Sequence, residues 1–312
     1  MISPRASIVV PTRGGATRLL HLFDALRAQT ETSWEAIVVI DGDVDESAAV
    51  VDLAAGELPV RALVLPENRG RSAALNAGFA EARGEVLIRC DDDLRPGPDY
   101  VAAHLARHAG APCGVVGLYR NVFPPTPYAR VYGAPRDERF RTDAYAATAA
   151  RRWRYWAGNV SVTREAFDTV GGYDPAFRAY GWEDVDWGYR LHAAGVPVVL
   201  APELETPHHV AATTTEERVR RAFLAGAARR AFEAKHGSAA LGAAPLARGA
   251  WGRIVDRTAA RDGRAALEAR ARRADLALSR MPRWAAEKRV AWLVEAAGLS
   301  GQRRPDEVVN DV

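Results

Sequence analysis

Lysine is almost missing: of 42 basic residues in 312, only Lys235 and Lys288 are lysines. Chemistry that sets a lysine beside a phosphate therefore has no candidate in the first three quarters of the chain. Cysteine is equally scarce. Cys90 and Cys113 are too few for a disulfide framework, which fits a reducing compartment, and Cys90 sits in an apolar run where it reads as strand packing rather than as a nucleophile. No segment approaches the roughly 20 apolar residues of a membrane-spanning helix. The apolar part of the opening "MISPRASIVVPTRGG" is too short for a signal peptide. A cytoplasmic protein, at most peripheral at the inner face of the cell membrane, is the expectation. The formal charge of +3 is small, no nucleic-acid partner is expected, and there is no internal repeat.

What is present is enough apolar material, 48% of residues, to fill a sizeable core. Up to about residue 100, "ASIVV" (6–10), "EAIVVI" (35–40), "VRALVL" (60–65) and "EVLIRC" (85–90) read as strands, apolar throughout as parallel strands covered on both faces are. Between them Thr17–Gln29, Ser47–Ala55 and Arg71–Arg83 carry helical spacing. This β-α alternation predicts an α/β doubly wound sheet, whose ligands bind beyond the carboxyl ends of the strands. Residues 112–155 read as a long irregular loop rich in proline, aromatics and arginine. A strand, a short helix and a glycine turn follow in "WAGNVSVTREAFDTVGGYD" (156–174), then a helix in "GWEDVDWGYRLHAAG" (181–195) and a strand in "VPVVLAP" (196–202).

Past about Thr215 the composition turns to alanine and arginine. One helix is predicted over 216–237, a linker over Gly237–Gly252, further helices over Gly263–Arg280 and Arg283–Ala297, and a loose tail at the end. The expected division is a catalytic domain at 1–215 and a helical extension at 216–312. The arginines of the extension are a solvated face on one account, and on another a basic surface for anionic lipid, a polyanionic acceptor or a second copy of the chain.

The chemistry is concentrated in acids. Asp91, Asp92 and Asp93 follow the fourth strand, and three adjacent carboxylates at a ligand-binding rim repel unless something offsets them. A divalent cation does so economically, since hard oxygen ligands suit Mg²⁺ or Mn²⁺ and such ions share their coordination with substrate phosphates. If the chain turns there, Asp91 and Asp93 converge on one ion while Asp92 points elsewhere. About 90 residues on, Glu183, Asp184 and Asp186 begin a helix beside Trp182 and Trp187, with Tyr180 just before; these aromatics look like a cleft wall. A carboxylate in such a cleft can act as a general base, its proton affinity raised by burial.

These pieces, with "SIVVPTRGG", "VVIDGDVDES" and "PENRGRSAALNAGFAEARGEVLIRCDDDLRP" ahead of "GWEDVDWGYRL", resemble a family 2 glycosyltransferase of the GT-A fold over roughly residues 6–210. The resemblance implies an inverting, metal-assisted transfer from a nucleoside-diphosphate sugar, most commonly a uridine diphosphate sugar, to the hydroxyl of an acceptor glycan, lipid-linked sugar or small molecule. It implies that Pro11, Thr12 and Arg13 border the base and that Asp41 hydrogen-bonds it, Asp43 being the weaker candidate because Ile40 replaces the first acid of the usual pair. Asn68, Gly70 and Arg71 would lie near base and phosphates. Asp91 and Asp93 would bridge ribose and metal to the diphosphate, with Asp92 beside the donor. Asp184 would be the catalytic base, with Glu183 and Trp182 at the acceptor or donor sugar. Of the pair after the last strand, His208 is preferred to His209 as a metal ligand.

Three rivals stand against this reading. "RGGATRLLHL" superficially matches the loop of sugar-phosphate nucleotidyltransferases, and "VVIDGDVD" the nucleophile motif of haloacid-dehalogenase-type phosphatases, but both classes need a lysine near the phosphates and none occurs before Lys235. A carbohydrate-binding adaptor on a transferase scaffold would not need two intact acidic motifs.

Overall fold

The computed structural model describes residues 3–177, 181–242 and 249–311. The chain opens with β1 (Ala6–Thr12), α1 (Ala16–Arg27), β2 (Trp34–Asp41), α2 (Ser47–Ala55), β3 (Val60–Leu65), α3 (Arg71–Glu81), β4 (Val86–Cys90) and α4 (Tyr100–Arg107). It continues through β5 (Gly114–Val116), β6 (Tyr119–Asn121), α5 (Ala134–Tyr145), β7 (Asn159–Thr163), α6 (Arg164–Val170), α7 (Trp182–Ala193), β8 (Val198–Leu200) and β9 (Thr206–His208). Four long helices follow, α8 (Thr215–His236), α9 (Gly249–Arg261), α10 (Arg264–Asp275) and α11 (Arg283–Arg303).

Seven strands form one sheet in the order β3-β2-β1-β4-β7-β5-β8, parallel except for β7, which runs against both β4 and β5. β2 and β4 are buried along their whole length and β1 everywhere but Pro11, which is why their sequences are apolar without alternation. After β3 the chain returns across β1 to lay down β4. The carboxyl ends of β1 and β4 therefore bracket the point where strand order reverses, the place such sheets bind ligands. β6 and β9 form a separate parallel pair, with Asn121 opposite His208. Leu94, just past β4, bridges to His208 from the other side.

Contacts divide the chain into two units. The first comprises Met1–Val122, Arg141–Ala176 and Glu183–Val210, with a core including Ile8, Leu22, Ile40, Ile88 and Val115. The second comprises Phe123–Phe140, Phe177–Trp182 and Ala211–Val312, with Phe223, Leu267, Val290 and Leu293 at its centre. Here α8 and α11 approach backbone to backbone. A β-carbon on Gly226 would strike the carbonyl of Gly298, and one on Gly301 the carbonyl of Phe223.

Three expectations are corrected. Residues 112–155 hold β5, β6, a π-helical turn at Ala129–Gly133 leading into α5, and a 3₁₀ segment at Ala149–Tyr155. α5, "APRDERFRTDAY", has little apolar periodicity, and Pro135 looks like a breaker, yet the helical path runs through it from the π-helical turn at Ala129–Gly133. The expected linker, Gly237–Gly252, runs into the first turn of α9, an unexpected helix that buries Val255, Thr258 and Ala259; residues 243–248 lie outside the described residues. The supposed loose tail is a 3₁₀ segment at Pro305–Asp311 with Val308 buried, and Glu307 in it accepts a 2.8 Å bond from the Arg264 amide. No helix among the described residues is long and apolar enough to cross a membrane.

Candidate functional site

The three acids after β4 leave in different directions. Asp92 turns to β1 and α1: it accepts from the Thr12 hydroxyl, and from Arg18 Nε and Nη2 at 2.9 Å each. Asp93 turns to β9, where its Oδ2 lies 3.1 Å from His208 Nε2, and the next amide along, that of His209, donates to the Asp93 carbonyl at 3.1 Å. Asp91 accepts at Oδ1 from Arg89 Nε, 2.8 Å, and at Oδ2 from Arg89 Nη2, 3.2 Å, and the Tyr119 hydroxyl, 3.3 Å.

Arg89 organises the site. Its side chain is 0% exposed, lies 5.8 Å from the Tyr173 ring centroid, and gives Nη1 to Asp184 Oδ1. One guanidinium thus spans the end of β4 and the first turn of α7, joining acids 93 positions apart (184 − 91). Beside it Glu183, 2% exposed, accepts from Arg71 Nη1 at 3.1 Å, while Asp186 takes Arg190 Nε at 2.9 Å. Each acid of "GWEDVDWGYR" therefore faces its own arginine. Arg89 and Tyr119 had no part in the sequence reading. The signal for Arg89 was a charge inside "EVLIRC", because a buried charge in a central strand requires a paired partner.

Burial separates the two key carboxyls. It raises Asp184 to about 7, against the pull of Arg89. Burial also pushes Asp91 upward, but Arg89 and Arg71 more than offset it and hold that group below the usual carboxylate range. A permanent anion therefore stands next to a carboxyl balanced near neutrality, the arrangement in which neighbouring acids take different roles.

On the other side of the sheet's reversal point, Asp41 at the end of β2 is buried and accepts from the amides of Arg69, 2.6 Å, and Gly70, 2.9 Å. Arg13 Nη1 donates to the Asp41 carbonyl at 2.8 Å, and Asn68 Oδ1 accepts from the Gly70 amide at 3.1 Å. Arg13, Asp41, Asn68 and Gly70 therefore share one loop cluster, next to Pro11 and Thr12 in chain and sheet. Asp43 instead accepts from the Ser47 amide at 2.9 Å, at the start of α2.

The aromatic wall is corrected in part. Trp187 is core, 1% exposed and stacked on Trp156 at 4.8 Å. Trp182 packs on Phe232 of α8, ring centroids 5.1 Å apart. Tyr180 lies outside the described residues. His209 is exposed.

Whether the acids suit a cation is answered by their donors. Asp93 Oδ1 is buried and has no hydrogen-bond partner among the described residues, and its other oxygen already lies beside an imidazole. The carboxylate suits Mn²⁺ or Mg²⁺, and the imidazole beside it favours Mn²⁺, the softer of the two. No group of three His, Cys, Asp or Glu among the described residues is gathered closely enough to hold a metal, so a cation bound there would need further ligands from a substrate or from a reoriented Asp91. Gly158 leaves Asp91 its room: a β-carbon there would collide with Asp91 Oδ2 and the Tyr119 hydroxyl. Gly158→Ala is expected to displace Asp91 and raise the Mn²⁺ concentration needed for half-maximal activity by tenfold or more, on the order of the loss when groups supporting a metal site are disturbed. A metal titration of activity checks this, and an unchanged midpoint refutes it.

Comparison with known proteins bears on family and fold. A profile described as glycosyl transferase family 2 matches residues 7–171, and one described as the N-terminal domain of galactosyltransferase matches 142–213. A validoxylamine A glucosyltransferase of Streptomyces hygroscopicus is 32% identical over 237 residues, 66% of this chain and 56% of that protein. An undecaprenyl-phosphate 4-deoxy-4-formamido-L-arabinose transferase of Pseudomonas fluorescens is 32% identical over 179 residues, 56% of this chain and 46% of that protein. The chain spans about half the length of these curated relatives. Among solved structures, a mannosyltransferase from Pyrobaculum calidifontis in complex with GDP-Man and Mn²⁺ superposes with a TM-score of 0.65 at 21% identity, over 96% of this chain and 87% of that one. GalNAc-T7 with UDP, GalNAc and Mn²⁺ superposes at 0.53 and 15% identity, over 73% of this chain and 51% of that one. These likenesses are of fold, which is GT-A. The family profile covers more than half of the chain, and the chain belongs to glycosyl transferase family 2.

Proposed function

We propose that this protein transfers a sugar from a nucleoside-diphosphate sugar to an acceptor hydroxyl, with a divalent cation and inversion at the anomeric carbon. The observation that carries the proposal is the Arg89 bridge, which sets the donor-side acid Asp91 and the base Asp184 on one guanidinium. Asp184 accepts the proton of the attacking hydroxyl. Arg89 holds it in place and stabilises its charged form, and Arg71 positions Glu183 beside it. Asp93 and His208, with Asp91 turning from Arg89, would hold the cation, which supplies Lewis-acid stabilisation to the departing diphosphate. The loop of Arg13, Asp41, Asn68 and Gly70 receives the nucleoside. In this role Asp41 shapes the loop by gripping two of its amides, and Asp92 ties β4 to β1 instead of touching the donor.

The rivals fare worse. A phosphatase of the haloacid dehalogenase type needs Asp41 as a free nucleophile, and that carboxylate is engaged by two backbone amides. Either rival also needs a lysine at the phosphates, and the first lysine is residue 235. Fold neighbours that hold GDP-Man or UDP favour a guanosine or uridine donor, and relatives named for validoxylamine A and undecaprenyl phosphate favour a small molecule or a polyprenyl phosphate lipid as acceptor.

The test is a thermal-shift panel of nucleoside diphosphates with and without Mn²⁺. One base is expected to raise the midpoint by about 5 °C or more at roughly 100 times its Kd, and only with metal. No shift for any base discards the proposal. Incubation with the matching nucleotide sugar should then release nucleoside diphosphate, whereas pyrophosphate exchange or orthophosphate release would point to a rival.

A further inference from the structure

The second unit carries a surface that the transfer reaction does not use. α10 ends and α11 begins in a nine-residue stretch, "LALSRMPRW" (276–284), that turns back through a 3₁₀ segment at Leu278–Arg280. Two large apolar side chains stand out of it into solvent, Leu276 at 79% and Trp284 at 72% exposure. Single exposed apolar residues need no explanation. These two share their end of the bundle with Arg273, Arg280 and Arg283, which are exposed and have no side-chain partner among the described residues. Arg273 lies three positions before Leu276, and Lys288 four after Trp284, on the same helix faces.

The acids nearby are committed. Asp275 accepts from the amides of Thr215 and Glu216 at 2.9 and 3.2 Å, holding the start of α8. Glu216 takes Arg272 at 2.6 Å, and Glu287 takes Arg139 at 2.9 Å. The turn therefore presents uncompensated positive charge around a tryptophan and a leucine. Tryptophan favours the membrane–water boundary, and arginines beside it complement anionic headgroups.

We propose that the α10–α11 turn docks on an anionic phospholipid surface, with Trp284 and Leu276 entering the headgroup layer and Arg273, Arg280 and Arg283 binding phosphates around them. The charge excess selects this occupant over a second copy of the chain, whose same turn would bring like charges together. The proposal is independent of the transfer reaction.

The experiment is co-sedimentation of the full chain with vesicles of phosphatidylcholine, with and without phosphatidylglycerol. Pelleting is expected only with phosphatidylglycerol, and added salt should release the protein. Replacing all three arginines, R273Q/R280Q/R283Q, is expected to weaken partitioning on the order of 100-fold, about fivefold for each basic residue removed. L276S/W284S should weaken it as well at unchanged charge. All five side chains are exposed, so the thermal midpoint and the nucleoside diphosphate shift should be preserved, which separates loss of docking from loss of fold or of the donor site. Three results overturn the proposal: equal pelleting with neutral vesicles, no pelleting, or undiminished pelleting of both variants. Self-association in sedimentation velocity that disappears in the triple variant would assign the turn to a second copy and overturn it too.

Discussion

Asp184→Asn should lower turnover by roughly 10²- to 10⁴-fold, the contribution of a positioned general base, while leaving the metal-dependent nucleoside diphosphate shift unchanged. Asparagine keeps the size of the group and can still accept from Arg89, but it takes no proton. The wild-type pH profile carries the same information. Burial raises the Asp184 carboxyl to about 7, and only its deprotonated form can receive a proton from the acceptor. kcat/KM should therefore climb about tenfold per pH unit below that value and level off above it. The residual activity of the variant should lack that step. Full activity in the variant, or a wild-type rate that declines as pH rises through neutrality, would remove Asp184 from this role.

The largest expected loss of stability comes from Arg89→Met. The side chain is fully buried and grips two carboxylates, and removing one member of a buried charged group costs about 3 to 5 kcal/mol because the others remain desolvated and unpaired. The sign with pH follows from Asp91, whose carboxyl the wild type holds low. That stabilisation is present above the ordinary carboxylate pKa and is lost as pH falls through the depressed one, so the gap between wild type and variant should be widest at neutral pH and shrink in acid. Urea unfolding across pH measures it. Adding Asp184→Asn to Arg89→Met should recover part of the loss. Arg89→Lys should recover little, since a single ammonium lacks the forked donors that reach both acids. A loss under about 1 kcal/mol at neutral pH would mean that the bridge contributes little to holding the fold together.

The contrast between Asp91 and Arg89 shows where sequence is informative. Strands β1 to β4 were legible because burial on both faces leaves unbroken apolar runs, and Ser47–Ala55 and Val60–Leu65 fall within the bounds that periodicity indicates. The acids drew notice because adjacent like charges at the end of such a run demand a cause, but the expected convergence of Asp91 and Asp93 is not seen, since Asp91 turns to Arg89 and Asp93 to His208. Arg89 was not, because its meaning lies in partners 2 and 95 positions away, brought together only by the sheet and α7. α5 and α9 were hidden for another reason. One lacks an apolar stripe, and the other lies in a stretch where glycine and alanine imitate a linker. Trp187 was misread because an indole next to acids is equally at home in a cleft or in a core, and only packing decides.

The glycines where α8 meets α11 bear on how an alanine- and arginine-rich sequence can specify one arrangement. Alanines alone slide past one another at little cost, so a bundle built from them risks many near-equivalent alignments. At Gly226 and Gly301 a carbonyl of the facing helix, that of Gly298 or of Phe223, occupies the place of a β-carbon, and a shift of either helix along the other would bring a methyl group against a carbonyl. Those two positions act as a vernier for the pair, which leaves the outward-facing residues free to diverge without changing how the helices cross.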